Sequence, residues 1–242
     1  MNTQHNELKR KARFAGFLYL IIVILGFYGI MYVTSQIQVI GDAEATFNNL
    51  LENEFLLRTG IFAHLLNTVV FTMMVLVFYR LFGHIDKFTA QLMVALVVLH
   101  ISFEFGSEAL NIAAILVADG QFLESLDALQ RQEWGYLLLR TSKFGSVGLA
   151  SAFWGLWLIP LGTLVYRSGF IPGVFGVALI LGGTAYIVES TFFILFPGQG
   201  EVLRSLLFYV YAVAEISFML WLLIKGIKKP PAVNPKQSMQ PS

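Results

Sequence analysis

The chain has 242 residues, of which 57% are hydrophobic and only 13% charged. A soluble globular domain carries about 25% charged residues, so a fold surrounded by water on all sides is excluded. The net charge of +1, with no long run of Lys and Arg, gives no footing for nucleic acid, and the absence of cysteine removes disulfides and thiolate metal sites.

Crossing roughly 30 Å of hydrocarbon takes about 20 mostly apolar residues in a helix. Six stretches meet that length, at 14–33, 61–82, 90–118, 144–166, 173–196 and 205–225. The chain therefore reads as all-α: a polytopic transmembrane bundle of six spans occupying 1–229, followed by a disordered tail over 230–242 that holds Pro230, Pro231 and Pro235 among polar residues. None of the six runs alternates with period two, which argues against a β-barrel. The first span follows Lys9, Arg10, Lys11 and Arg13, but it is too long for a signal-peptide core and no A-x-A site follows it. It reads as a retained helix.

Basic residues orient the bundle. One side collects those four together with Arg80, Lys87, Arg167, Lys225, Lys228, Lys229 and Lys236; the other has Arg58, Arg131, Arg140, Lys143 and Arg204. The positive-inside rule makes the richer side cytoplasmic and places both termini there. The outer loops, 34–60 and 119–143, are the longer ones. The second mixes Phe122, Leu123, Leu126, Leu129, Trp134 and Leu137 with charges at helical spacing, the pattern of an amphipathic segment lying on the outer surface. The inner turn after the fourth span reads Arg167-Ser168-Gly169-Phe170-Ile171-Pro172, a glycine stop with proline at the next helix start. Along the fourth span Gly145, Gly148, Ala152 and Gly155 recur, and along the fifth Gly173, Gly176 and Gly183, faces that let helix backbones approach closely. Pro160 is expected to kink the fourth span.

Ordered stretches of the chain resemble a known family. These are Ala12-Arg13-Phe14-Ala15-Gly16-Phe17-Leu18-Tyr19-Leu20, Gly41-Asp42-Ala43-Glu44-Ala45-Thr46 with Asn49, Glu54, Arg58 and Gly60, Tyr166 through Pro172 with Gly176 and Gly183, and Leu220-Trp221-Leu222-Leu223-Ile224-Lys225-Gly226. Together they resemble domain of unknown function 4386, an uncharacterised bacterial membrane-protein family, over nearly the whole chain. The resemblance implies a six-span protein of the bacterial cytoplasmic (inner) membrane. It implies no activity, cofactor or catalytic residue.

Ionisable groups inside the spans carry the functional signal. A charged side chain at mid-bilayer costs roughly 2.5–3.5 kcal/mol on insertion scales, yet Glu104, Glu108, Glu189 and Glu215 all fall within spans. They are expected to face the bundle interior, pair with donors or stay protonated. His100, Glu104, Glu108 and Asn111 share roughly 80° of arc on the third span. His64 and Asn67 in the second span, Glu189 in the fifth, Glu215 in the sixth, and Arg140 and Lys143 at the mouth of the fourth fall at similar depth. This constellation predicts a polar cavity facing the outer side. The plainer reading is that Asn67, Asn111 and Thr72 are helix–helix glue and that Arg140 and Lys143 snorkel to the interface.

Three functions follow from that pattern. The first is binding or ion- or proton-coupled transport of a small molecule or ion, with Glu104 and Glu108 as the responsive groups. The second is a metal-dependent intramembrane enzyme with His64 or His100 as base, and the third is a structural or regulatory subunit. A histidine and a glutamate at i and i+4 can reach one ion, but His100 and Glu108 stand about 12 Å apart along the helix. An ion would thus need His100 or the two glutamates plus His64 or Glu189, and with no contiguous metal motif present no metal or other cofactor is assigned. Membrane lipid is the one partner that composition dictates.

Overall fold

The computed structural model describes residues 2–120, 125–196 and 199–228, which form helices and turns with no strand. The proposed tail at 230–242, and Phe122 and Leu123 of the second long loop, lie outside those residues. The helices are α1 (Asn2–Gly26), α2 (Thr34–Ile37), α3 (Ala43–Glu52), α4 (Glu54–Phe82), α5 (Lys87–Ala118), α6 (Ala128–Lys143), α7 (Ala150–Ser168), α8 (Gly173–Leu195) and α9 (Glu201–Ile224). Two π-helical stretches, Phe27–Val33 and Phe144–Leu149, join α1 to α2 and α6 to α7. Six of the resulting rods are long and apolar enough to cross a membrane. The chain is an all-α, multi-pass helix bundle.

Local chemistry sets the ends of these rods. Asp42, Asp86 and Asp127 are N-caps whose carboxylates accept from the backbone N–H three residues on, and Asp127 completes a capping box with Gln130. Gly169 ends α7 at φ +68°, and Pro172 precedes α8. Residues 225–228 return to the start of α1, where Arg13 Nη2 donates to Ile224 O at 2.8 Å. The two ends of the described chain therefore share one end of the bundle, called proximal below. The end holding α2, α3 and the N-terminus of α6 is called distal.

The spans close into a ring in chain order, with α1 on α4, α4 on α5, α5 on α7, α7 on α8, α8 on α9, and α9 back on α1. The proximal half and middle are filled by one apolar core that includes Met74, Phe78, Phe82, Met93, Leu161 and Phe218, each 0% exposed. A separate, smaller core of Val33, Ile37, Leu50, Leu57, Ile61, Ala114, Ile115 and Leu139 lies at the distal end. The glycine faces pack as the sequence suggests. A Cβ at Gly155 would fall 2.3 Å from Gly183 O, and one at Gly162 2.6 Å from Gly176 O, so α7 and α8 touch backbone to backbone. Pro160 lies buried within α7 without interrupting it.

One expectation needs correction. The polar run before the fourth span is no separate surface segment, because α6 continues through Phe144–Leu149 into α7 as a helix of 41 residues. At 1.5 Å per residue it is about 60 Å long, twice the hydrocarbon thickness. Its first half packs on α5 and α3, with Gly135 against the Phe47 ring and Leu139 buried, while Leu129, Trp134 and Leu137 are exposed.

Candidate functional site

Between the two apolar cores lies a layer of buried polar groups on adjacent, antiparallel α4 and α5. His64, Glu104 and Glu108 are 9%, 4% and 6% exposed. One helical turn separates Glu104 from Glu108, so both carboxylates lie on the side of α5 that meets α4. His64 Nδ1 lies 2.5 Å from Glu108 Oε1 and 3.4 Å from Glu104 Oε2. Asn111, one further turn along, donates from Nδ2 to Glu108 Oε2 at 2.9 Å. Ligand-type atoms of His64, Glu104 and Glu108 all lie within 4.8 Å of one another.

Above this triad, toward the distal end, is a cavity of about 40 Å³ lined by Gly29, Val33, His64, Glu108, Lys143 and Ser146, among others. Both π-helical stretches form its walls, Gly29 and Val33 from the first and Ser146 from the second. Such turns break the regular i to i−4 ladder and recur at functional sites. Glycine makes the close approach possible. A Cβ at Gly60 would meet Val33 Cγ1 at 2.8 Å, and Gly29 packs against the His64 ring.

Below the triad the structure is sealed by rings. His100 contacts Phe71 edge-on at 5.7 Å between centroids, Phe71 contacts Trp157 at 5.0 Å, and Trp154 contacts Tyr186 at 5.9 Å. Trp154 Nε1 donates to His100 Nε2 at 3.2 Å. His100 Nε2 also stands 3.6 Å from Glu104 Oε1, too long for a hydrogen bond, and Glu104 Oε2 is buried with no hydrogen-bond partner.

The expected single constellation separates into distinct environments. His64, His100, Glu104, Glu108 and Asn111 do come together, and Lys143 stands at the cavity. Asn67 instead donates to Ile22 O at 3.0 Å, binding α4 to α1. Arg140 lies in a different surface depression with Glu133, Trp134 and Tyr136. Glu189 accepts from Arg204 Nε at 3.1 Å. Glu215 accepts from the hydroxyls of Tyr19 and Tyr186. The ring order keeps Glu189 and Glu215 apart from the triad, since α8 packs chiefly on α7 and α9, and α9 on α8 and α1. Ser146, Gly29 and Val33 line the cavity without having been marked by the sequence. The one hint was the glycine density around 145–148, which reads equally well as packing.

The family described as Domain of unknown function (DUF4386) matches residues 14–226. A relative described as an uncharacterized protein of Archaeoglobus fulgidus is 32% identical over 88 residues, 36% of this chain and 51% of its own length. The chain thus spans about half of that relative. No solved structure matches. Because the family match runs from the opening of the first apolar helix to the turn after the last, taking in the whole ring and its buried acids, the chain belongs to the DUF4386 family.

Proposed function

We propose that this protein binds a small cation, as a carrier or receptor, at an intramembrane site made by His64, Glu104 and Glu108 and entered from the extracytoplasmic side. The observation that supports it most is a cavity of about 40 Å³ lined by His64 and Glu108, with the second buried carboxylate, Glu104, directly behind them and within 4.8 Å of both. A water needs roughly 10–15 Å³ of such space, so the cavity has room for an ion and a few waters, and none for a drug-sized organic molecule. Buried anionic groups in an apolar surround also favour a cation over any anion.

The basic residues clustered at the proximal end favour a cytoplasmic position for that end, which turns the cavity mouth outward. The same charge bias, with the resemblance to a bacterial membrane-protein family noted above, supports the bacterial cytoplasmic membrane as its location. The apolar core below the triad argues for a closed floor, so any transport would require helices to move rather than ions to pass through an open pore. Association with a further subunit has no comparable support, because the acids at this site face one another and a cavity.

The absence of cysteine gives a clean test. Lys143→Cys, at the cavity, is treated in intact cells with membrane-impermeant thiosulfonate reagents of positive and negative charge. Labelling from outside, faster for the cationic reagent and losing that preference when Glu108→Gln is added, is expected. A cysteine reached only after permeabilisation would overturn outward access, and equal rates for both reagents would overturn cation preference.

A further inference from the structure

We infer that His64 Nδ1, Glu104 and Glu108 form a site for one divalent first-row transition-metal ion of the zinc type, with an open coordination position facing the cavity. The inference rests on the cation-site reading above and narrows it to a ligand class. Its first support is the donor set. One imidazole nitrogen with two carboxylates suits Zn²⁺, Mn²⁺ or Co²⁺, whereas Ca²⁺ and Mg²⁺ favour oxygen alone. Three protein ligands with a fourth position left open is also the common pattern of reactive rather than structural zinc sites.

Geometry agrees. Two ligand atoms about 2.1 Å from a tetrahedral ion stand roughly 3.4 Å apart, and His64 Nδ1 lies 3.4 Å from Glu104 Oε2. The 2.5 Å hydrogen bond between His64 Nδ1 and Glu108 Oε1 is shorter than that edge and would open by about 1 Å as the ion enters, the proton the two atoms share being released to water through the cavity.

The independent support is Glu104. It is 4% exposed, and its Oε2 points toward His64 without accepting a hydrogen bond. An oxygen so placed costs free energy unless something electropositive meets it. A divalent ion does so and also balances charge, since two carboxylates, a neutral imidazole and M²⁺ sum to zero within a low-dielectric layer. Asn111, holding Glu108 Oε2 at 2.9 Å, is the kind of outer partner that orients a metal-bound carboxylate.

The test uses Co²⁺ alone as probe on the full chain, purified in detergent and stripped with chelator. Saturable binding of one equivalent is expected, with visible bands of a four- or five-coordinate nitrogen–oxygen site, displaced by stoichiometric Zn²⁺. Glu104→Gln, Glu108→Gln and His64→Gln should each weaken binding by more than the roughly 10–100-fold that loss of an outer partner costs. Wild-type affinity in any of the three, or no saturable binding by the wild-type chain, overturns the inference. Should the variants fold poorly, the band energies of the wild-type complex still decide, because all-oxygen octahedral Co²⁺ gives only weak absorption and would overturn it. Outward labelling of Lys143→Cys without Co²⁺ binding sinks the metal and leaves the cation cavity. Bound Co²⁺ with Lys143→Cys shielded from outside keeps the metal and sinks the outward route.

Discussion

The indole N–H of Trp154 on α7 points at Nε2 of His100 on α5, 3.2 Å away. An indole nitrogen can only donate, so it fixes Nε2 as an acceptor and places the imidazole proton on Nδ1. His100 Nε2, 3.6 Å from Glu104 Oε1, therefore has no proton to offer that carboxylate. Trp154 in this way keeps Glu104 available to a cation although a histidine stands beside it.

Trp154→Phe retains the aromatic floor and removes the donor. The proton is then free to move to Nε2, where His100 competes for Glu104. Co²⁺ affinity should fall about tenfold, the lower edge of what outer partners contribute, with little change in the visible bands because the direct ligands remain. A titration of the variant beside wild type measures it, and unchanged affinity would remove His100 and Trp154 from the site.

Glu215 provides the contrast. It joins three helices by accepting from Tyr19 on α1 and Tyr186 on α8. Glu215→Leu leaves two hydroxyls without their acceptor, at about 1–3 kcal/mol each, and should lower the melting temperature clearly. Glu215→Gln keeps partners for both hydroxyls and should lower it much less. Both should bind Co²⁺ as wild type does. Loss of Co²⁺ binding in a folded Glu215→Gln would mean that the two polar clusters act together.

These two clusters mark the limit of what the amino-acid sequence reveals here. Depth in the bilayer is legible, because it follows from position along an apolar run, and Glu104, Glu108, Glu189 and Glu215 were all placed inside spans on that basis. The shared face of His100, Glu104, Glu108 and Asn111 is legible too, since the helical period fixes it. Which span stands beside which is not, and α9 at the same depth faces α1 and α8 rather than α5. The π-helical walls were hidden for a different reason: Gly29 and Gly148 in apolar runs look like packing residues whatever ladder their backbone adopts. The reach of α6 was missed because polarity ends a membrane span but does not end a helix.

Backbone contact between α7 and α8 makes a stability prediction with an internal control. A Cβ at Gly155 would lie 2.3 Å from Gly183 O, while one at Gly106 meets nothing within 4 Å. Gly155→Ala must push the helices apart, and overpacking of this kind costs about 1–3 kcal/mol. Thermal unfolding in detergent should show a lower midpoint for Gly155→Ala and none of that loss for Gly106→Ala. Equal midpoints would mean that the α7–α8 contact is looser than described.

Asp86, in the proximal turn between α4 and α5, gives the pH-dependent prediction. Its Oδ1 accepts from Thr89 N–H at 3.0 Å, and its Oδ2 accepts from the Thr89 hydroxyl at 2.8 Å and from Arg167 Nη1 at 3.0 Å. The Thr89 amide, then its hydroxyl, then the Arg167 charge hold the Asp86 carboxyl below its ordinary value of 3.8. A carboxylate whose pKa is lower in the folded state contributes stability that is fully present above the unfolded value and is lost as pH falls through the folded one. Asp86→Ala should therefore lower the melting temperature at neutral pH. The gap between wild type and variant should hold down to about pH 4 and close only at lower pH. Arg167→Ala removes one of the three donors and should give a smaller gap that closes over the same range. A gap that persists unchanged at pH 2 would show that Asp86 acts there through shape rather than charge.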